Sequence, residues 1–196
     1  MSYRNRPVAT ILLCVALTLS LAQAQAQDGG APAYRLYRFA AADIAALQTY
    51  DDRWAKGDSS ITLAPAGGGV MQISARLGKR FAYPFAGVSM PFQAGGTPVD
   101  MRQYKGVRLQ VRGEAVFKVQ LLSANVTDNN EFASEVVSEK EWKTISLPFP
   151  SFAQSPYWGR AVAWDASALR GVNLHFDGMP GAPALQIEMR ELSMYR

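Results

Sequence analysis

The stretch Glu141–Phe152, EWKTISLPFPSF, indicates an all-β fold. In its first half, Trp142 is followed by alternating polar and apolar residues, the two-residue period that is typical of a strand. Pro148 and Pro150 then end regular pairing, because proline donates no backbone hydrogen bond. We expect Trp142 and Phe149 to hold two apolar layers together, so the stretch predicts one edge of a β-sandwich.

Four further segments repeat the same alternation of apolar and polar residues. They are 107–111, 117–121, 172–176 and 185–189, and turns rich in glycine or proline separate such segments along the chain. Each strand of this kind has one buried and one exposed face. The pattern predicts a two-sheet antiparallel sandwich, with Gly113–Glu114 as a short hairpin connection between two of its strands.

The N-terminal residues have the pattern of a secretory signal peptide. Arg4 and Arg6 form a short basic region. The apolar run Val8–Leu21 follows, and Ala22–Ala26 places small residues where a signal peptidase cleaves. The run is short for a transmembrane helix, so we expect no stable membrane span after cleavage. The prediction is a periplasmic or secreted protein with a signal peptide over 1–26, a flexible leader over 27–33 and a single β-sandwich domain over 34–196.

Cysteine usage and charge exclude several classes of function. The single cysteine, Cys14, lies inside the apolar run, so the mature chain would have no disulfide and no thiol chemistry. The formal net charge of +4 includes the two arginines of the signal peptide, and the other basic residues do not cluster. A nucleic-acid site needs clustered Lys and Arg, so we expect no nucleic-acid partner.

Catalytic constellations are sparse in this sequence. His175 is the only histidine, which excludes a metal site with two histidine ligands. No serine lies in a nucleophile elbow, and the spacing of Glu131 and Glu135 is that of ordinary surface acids. We therefore expect that the protein is not an enzyme and requires no cofactor.

One polar loop raises the question of a bound cation. The loop NVTDNN over residues 125–130 includes Asn125 and Asp128, whose side-chain oxygens are of the kind that Ca²⁺ prefers. The spacing is not that of an EF-hand, and Asn and Asp are also ordinary turn residues. A structural calcium ion and plain turn chemistry both remain open.

Aromatic residues in loops are the main positive signal for binding. Such rings on a rigid sandwich can stack on sugar rings, or they can plug the ends of the sandwich. The candidate ligand-binding residues are Tyr83, Tyr157, Trp158 and Trp164, with Arg112, Asn125, Asp128 and His175 as polar partners. A second candidate surface is one ladder of polar strand residues, which would contain Arg108, Gln110, Arg112, Lys118, Gln120, Asn173 and His175. A solvated sheet face would explain the same positions.

Several short motifs follow one another in a fixed order. They are YPFAGV at 83–88, VD at 99–100, YKGV at 104–107, VRG at 111–113, EW and LPF within 141–152, and a closing strand at 184–195. This set resembles the family of complex I intermediate-associated proteins, a galactose-binding-like jelly roll related in fold to carbohydrate-binding modules. The resemblance implies a jelly-roll sandwich with a non-catalytic role in binding a sugar or a protein.

Three hypotheses about function follow. The first is an exported, non-catalytic module that binds a carbohydrate or glycan-like ligand through loop aromatics. The second is a protein-interaction or assembly factor of the cell envelope, whose partner would be an envelope protein. The third is a jelly-roll glycosidase or lyase whose turnover would depend on an acid such as Glu131.

Overall fold

The computed structural model describes residues 34–37 and 39–196, and the predicted signal peptide and leader lie outside these residues. Its strands form two antiparallel sheets, which confirms the predicted all-β sandwich. The strands are β1 (Tyr34–Tyr37), β2 (Gln48–Asp51), β3 (Ser60–Pro65), β4 (Met71–Arg76), β5 (Phe85–Pro91), β6 (Gly106–Arg112), β7 (Ala115–Ser123), β8 (Phe132–Ser138), β9 (Lys143–Pro148), β10 (Leu169–Asp177) and β11 (Leu185–Tyr195). One short helix, α1 (Ala41–Ala45), precedes β2. None of the helices described is long and apolar enough to cross a membrane.

The sequence pattern does not show which strands belong to which sheet, or in what order they lie. Sheet A contains β3, β4, β11, β6 and β9 in that spatial order, and β1 pairs with β11. Sheet B contains β2, β5, β10, β7 and β8. The predicted hairpin at Gly113–Glu114 is therefore wrong, because it connects β6 of sheet A to β7 of sheet B. Gly113 has a φ of 109°, a conformation that glycine adopts readily at such a sharp crossing.

The core lies between the sheets and is built from one face of each strand. The inward residues of β10, Val172, Leu174 and Phe176, are fully buried. Phe176 packs against Phe117 of β7, with ring centroids 5.6 Å apart. Burial of each large apolar side chain stabilises the fold by about 1.5–3 kcal/mol. The alternate residues of these strands point away from the core, so each sheet has an outer face that can carry a site.

The stretch at 141–152 forms one edge of sheet A, as predicted. Phe152 is buried, and Phe149 packs against the core from the turn that follows β9. The prediction for Trp142 is wrong. Its ring lies on the outer face of sheet A, with the guanidinium carbons of Arg112 and Arg190 at 5.0 Å and 4.4 Å from its centroid. The reason is its parity, which is that of the exposed strand residues rather than of the buried ones.

Candidate functional site

The outer face of sheet B brings together side chains from all five of its strands. The strand register places Tyr50 of β2 beside Gly87 of β5, and Gly87 beside His175 of β10. His175 in turn lies beside Lys118 of β7, which lies beside Glu135 of β8. A parallel row contains Gln48, Ser89, Asn173, Gln120 and Ala133. Two rows of side chains thus cross the strands from one edge of the sheet to the other.

An aromatic cluster occupies the β2 and β5 side of this face. We define it as Tyr50, Trp54, Phe81, Tyr83 and Phe85 together with the ring of His175. Phe85 is at its centre, with ring centroids 6.3 Å from Tyr50, 6.4 Å from Trp54, 6.5 Å from Phe81 and 5.7 Å from His175. Trp54 is 80% exposed and Tyr83 is 79% exposed. The cluster therefore joins a partly buried base to two rings that project into solvent.

Gly87 allows the ring of Tyr50 to lie against the sheet. A Cβ atom at position 87 would stand 2.3 Å from the ring and hydroxyl of Tyr50, which no real packing permits. The tyrosine hydroxyl instead reaches across β5 and shares a hydrogen bond of 3.1 Å with Nδ1 of His175. Burial, above all, raises the pKa of Tyr50 well above its ordinary value. The phenol therefore stays protonated throughout the physiological pH range.

His175 is held in its neutral form at the middle of the face. Its ring packs against both Tyr50 and Phe85, with centroids 6.0 Å and 5.7 Å away. Burial lowers its pKa below the ordinary value, while the negative charge of Asp177, whose Oδ2 lies 3.8 Å from Nε2, opposes that shift. A neutral imidazole can both donate and accept a hydrogen bond, so this ring contributes polarity as well as stacking area.

Polar side chains continue the face towards β7 and β8. Lys118 Nζ lies 2.5 Å from Asp177 Oδ2, and Asn173 donates a long hydrogen bond of 3.4 Å to Gln120 Oε1. At the same edge, Val116 and Val137 are paired and both point outward. The face therefore combines stacked rings, planar amides, a charged pair and a small apolar patch.

Two aspartates fix the loops that carry the exposed aromatic rings. Asp52 begins the short 3-10 helix that contains Trp54, and its carboxylate is fully buried. It accepts hydrogen bonds from the backbone N–H and the hydroxyl of Ser59, at 2.9 Å and 2.6 Å. The Ser59 oxygen accepts a further bond from the N–H of Gly78. These bonds join the Trp54 turn to the loop that leads to Phe81 and Tyr83.

Asp58 provides a second link between the same two loops. Its Oδ1 accepts hydrogen bonds from the backbone N–H groups of Lys79 and Arg80, at 2.8 Å and 3.0 Å. These bonds hold the pKa of the Asp58 carboxyl below its ordinary value, the Arg80 bond being the largest cause. Both loops are thus positioned before any ligand arrives.

The structure places only two of the eight predicted site residues in this face, namely Tyr83 and His175. Arg112 lies on the outer face of sheet A, where its Nη2 is 2.6 Å from Glu188 Oε2. The predicted single ladder of polar residues is therefore wrong. Its members on β6, Arg108, Gln110 and Arg112, belong to sheet A, whereas Lys118, Gln120, Asn173 and His175 belong to sheet B. Period-two alternation shows that residues are exposed, but it does not show on which sheet.

The loop residues proposed for calcium connect two loops instead. Asp128 Oδ2 accepts the N–H of Arg160 at 2.6 Å, and its Oδ1 accepts that of Asn130. Asn130 is buried and donates to the carbonyl of Trp158, while the N–H of Asn125 donates to the Ser123 hydroxyl. The side-chain oxygen of Asn130 accepts the N–H of Ser155. Within the described residues, no three or more His, Cys, Asp or Glu side chains are grouped as metal ligands would be.

The remaining predicted aromatics lie beyond the β8 edge of sheet B. Ala153 forms a bridge with Ala133, and the loop that follows carries Tyr157, which is 93% exposed, and the half-exposed Trp158. Trp164 instead packs against Phe132 and Phe149, with ring centroids 5.0 Å and 5.1 Å away. Trp164 therefore acts mainly as a plug, and the exposed loop aromatics are separated by the sheet from the aromatic cluster.

The family model of complex I intermediate-associated protein 30 matches residues 37–179. The chain belongs to this family. The match covers the whole of the face described above, from β2 through β10. No curated protein matches the sequence.

Solved structures similar to this member of the family include carbohydrate-binding modules of Clostridium thermocellum. The family 11 module of a cellulosomal cellulase is 13% identical over 84% of this chain and 95% of the module, with a TM-score of 0.63. A family 11 module in complex with a β-1,3-1,4-mixed-linked tetrasaccharide is 14% identical over 76% and 88%, with a TM-score of 0.55. The solution structure of CtCBM11 is 16% identical over 87% and 97%, with a TM-score of 0.59. These likenesses show a shared sandwich fold.

Sequence reasoning missed four residues of the aromatic cluster: Tyr50, Trp54, Phe81 and Phe85. One signal was available, because the segment 81–85, FAYPF, contains three aromatic residues in five positions. The contribution of β2 had no comparable signal. This strand has only four residues, and its partner in the sheet is β5 rather than a neighbour in the sequence.

Proposed function

We propose that the protein is an exported, non-catalytic module that binds carbohydrate on the outer face of sheet B. The observation that carries the proposal is the aromatic cluster beside rows of polar side chains. A sugar ring has apolar C–H faces and a rim of hydroxyl groups. Aromatic rings offer the flat apolar area that such faces need, and amides, carboxylates and imidazole supply both donors and acceptors for the rim.

The shape of the face favours a chain rather than a single sugar. At the β8 edge the row that ends at Glu135 is open, since Glu135 and its neighbour Val137 are exposed, whereas the other row meets the segment at Ala153. At the β2 edge the exposed ring of Trp54 projects into solvent. Neighbouring strands are about 4.8 Å apart, so five strands span on the order of 19 Å. A ligand of several sugar units can therefore lie across the strands and continue past either edge.

The environment of the ionisable groups supports binding rather than catalysis. His175 is packed against two aromatic rings, and its Nδ1 shares a hydrogen bond with the Tyr50 hydroxyl. Glu131 is buried, and its carboxylate accepts the backbone N–H of Ser123. Burial raises the pKa of Glu131. The Glu131 carboxylate is thus occupied by the backbone at the end of β7, and Asp177 is occupied by Lys118. A glycosidase needs two acids free to act on the sugar, and the described residues of this face do not offer such a pair.

Binding to neutral polysaccharides tests the proposal. The full chain is titrated calorimetrically with the β-1,3-1,4-mixed-linked tetrasaccharide and examined by affinity electrophoresis in gels that contain neutral glucans, mannans or xylans. Trp54→Ala is expected to weaken binding about tenfold, because loss of one stacking ring is worth on the order of 1.4 kcal/mol.

Trp158→Ala is the matched control, since it removes an exposed tryptophan from the loop beyond β8. It is expected to bind like the unaltered chain. Absence of binding to every polysaccharide would contradict the proposal. A loss in Trp158→Ala without a loss in Trp54→Ala would move the site from the sheet to that loop.

A protein partner is the second candidate function. The description of the family names association with a complex I intermediate, and the exposed pair of Val116 and Val137 on the same face is suited to protein contact. This alternative predicts that a tagged full chain recovers one specific envelope protein, that added glucan does not displace it, and that Val137→Ser releases it.

Export is the part of the proposal that rests on residues 1–26. Mass spectrometry of the protein from the periplasmic fraction and the medium is expected to show a new N-terminus after Ala24 or Ala26. Recovery of the intact N-terminus from the cytoplasm alone would contradict export.

A further inference from the structure

We propose that this face selects uncharged carbohydrate chains, and that Glu135 is a residue that disfavours anionic ones. The inference rests on the proposed binding of carbohydrate by sheet B and adds the class of carbohydrate that the face accepts. It follows from how the charges of the face are distributed between its strands.

The two cations on the polar side of this face, Lys118 and Arg170, already have acidic partners within the protein. Lys118 Nζ lies 2.5 Å from Asp177 Oδ2. Arg170, at the start of β10, has its Nη2 3.8 Å from Oε1 of Glu131. A carboxylate or sulfate on a ligand would have to compete with these protein carboxylates for Lys118 and Arg170. Neither cation is therefore free to bind an anionic sugar.

Glu135 adds a negative charge that these pairs do not neutralise. It lies directly across from Lys118 on the edge strand β8, and its side chain is exposed. Lys118 turns to Asp177 instead, and among the described residues no ion pair involves Glu135. The polar side of the face, at β7, β8 and β10, therefore carries three carboxylates, those of Glu131, Glu135 and Asp177, against two cations.

Like charges across an interface suppress the wrong partner without adding affinity for the right one. A neutral chain is expected to lie beside Glu135 and use it as a hydrogen-bond acceptor for a hydroxyl group. A chain with repeated carboxylates would bring a negative charge to the same place. Two arginines that lie over the ring of Trp142, Arg112 and Arg190, are on the outer face of sheet A, and Arg112 is itself paired with Glu188.

The test compares one glucan with its carboxymethylated derivative, so that the sugar backbone stays the same and only the charge changes. Affinity electrophoresis of the full chain in low salt is expected to show at least tenfold weaker retardation by the carboxymethylated polymer. The difference in retardation between the neutral and the carboxymethylated polymer should become smaller as sodium chloride is added, since salt screens repulsion between exposed charges.

Two variants make the charge argument specific to one position. Glu135→Gln is expected to reduce the ratio of neutral to anionic affinity about two- to fivefold, the range expected of one exposed charge interaction. Glu141→Gln removes the same charge from the exposed turn before β9 in sheet A and should leave the ratio as it is.

Equal or tighter binding of the carboxymethylated polymer would overturn this inference while leaving carbohydrate binding intact. So would an equal effect of the two variants, because the selection would then reflect net charge alone. Loss of anionic binding in Arg190→Ala would place an anionic site on sheet A instead. Failure of every neutral glucan to bind would overturn the proposed function itself, and with it this inference.

Discussion

The hydroxyl of Tyr50 on β2 lies 3.1 Å from Nδ1 of His175 on β10, although β5 separates the two strands. The contact spans a whole strand because the residue between them is Gly87, which has no side chain to obstruct the ring. The edge strand is thereby bound to the centre of sheet B by a side chain as well as by its backbone pairing to β5. This relationship makes the aromatic cluster a fixed part of the sheet rather than a loop feature.

Gly87→Ala is therefore expected to displace the ring of Tyr50. The new Cβ would also stand 2.7 Å from the carbonyl oxygen of Leu174, so some loss of stability is expected from overpacking, about 1–3 kcal/mol. Urea unfolding measures this loss, and glucan titration measures the accompanying loss of affinity. In a Tyr50→Ala background, Gly87→Ala should lower the free energy of unfolding by less, because the clash with the Tyr50 ring is gone and only that with the Leu174 carbonyl oxygen is left. Equal destabilisation in both backgrounds would show that Tyr50 does not depend on Gly87.

The sequence predicted the sandwich well because burial imposes a local pattern. Residues 172–176 alternate, and the structure buries Val172, Leu174 and Phe176 while Asn173 and His175 face outward. It could not predict which strands share a sheet. Arg112 and Lys118 are six positions apart, yet they lie on opposite outer faces because the chain crosses between layers at Gly113.

The candidate site was predicted only in part for the same reason. Tyr83 and His175 were identified from their residue types, but Tyr50 and Trp54 reach the face through the pairing of β2 with β5, across more than thirty residues of chain. The sequence pattern favoured the loop aromatics Tyr157, Trp158 and Trp164, but the structure places them away from the aromatic cluster. Trp164 shows this directly, since its ring is used to cover Phe132 and Phe149.

Stability is expected to fall as the pH drops below about 6.5, and His175 should account for a measurable part of the loss. Burial lowers the pKa of the folded histidine below its unfolded value, and nearby Lys118 acts in the same direction, whereas Asp177 opposes them. The unfolded chain then binds a proton that the folded chain does not, so stability is fully present above the unfolded pKa and is lost as the pH falls towards the folded pKa.

Urea unfolding at pH 7.5 and pH 5.5 measures this effect in the unaltered chain and in His175→Gln. The fall in unfolding free energy between the two pH values should be smaller in the variant. Glu131, whose folded pKa is raised, acts in the opposite sense at lower pH, but it is present in both proteins and does not affect the comparison. If the unfolding free energy fell by the same amount in both proteins, His175 would be excluded as the cause of the pH dependence.

Asp52→Ala is expected to loosen the aromatic cluster and to destabilise the fold. The change leaves the N–H and hydroxyl of Ser59 without their acceptor in a buried place, which costs about 1–3 kcal/mol. The Trp54 turn would lose one of its two links to the loop before Phe81, the bonds of Asp58 to Lys79 and Arg80 being the other, so glucan affinity should fall at temperatures where the variant is still folded. Asp100→Ala is the control, because its pair with Arg102 is on the surface and away from the face. An affinity equal to that of the unaltered chain, in a folded Asp52→Ala protein, would show that the turn is positioned by other contacts.

Arg112→Ala and Trp142→Ala are expected to leave carbohydrate binding intact while lowering stability slightly. Trp142 lies on the outer face of sheet A with two guanidinium groups on its ring, and Arg112 also pairs with Glu188. A contact of this kind contributes on the order of 0.5–1 kcal/mol at an exposed site. Thermal unfolding measures the stability change, and titration with the same neutral glucan measures affinity. Trp54→Ala gives the reference loss of affinity in parallel. A comparable loss in either sheet A variant would show that the ligand lies on that face, because no described contact joins Arg112 or Trp142 to the aromatic cluster.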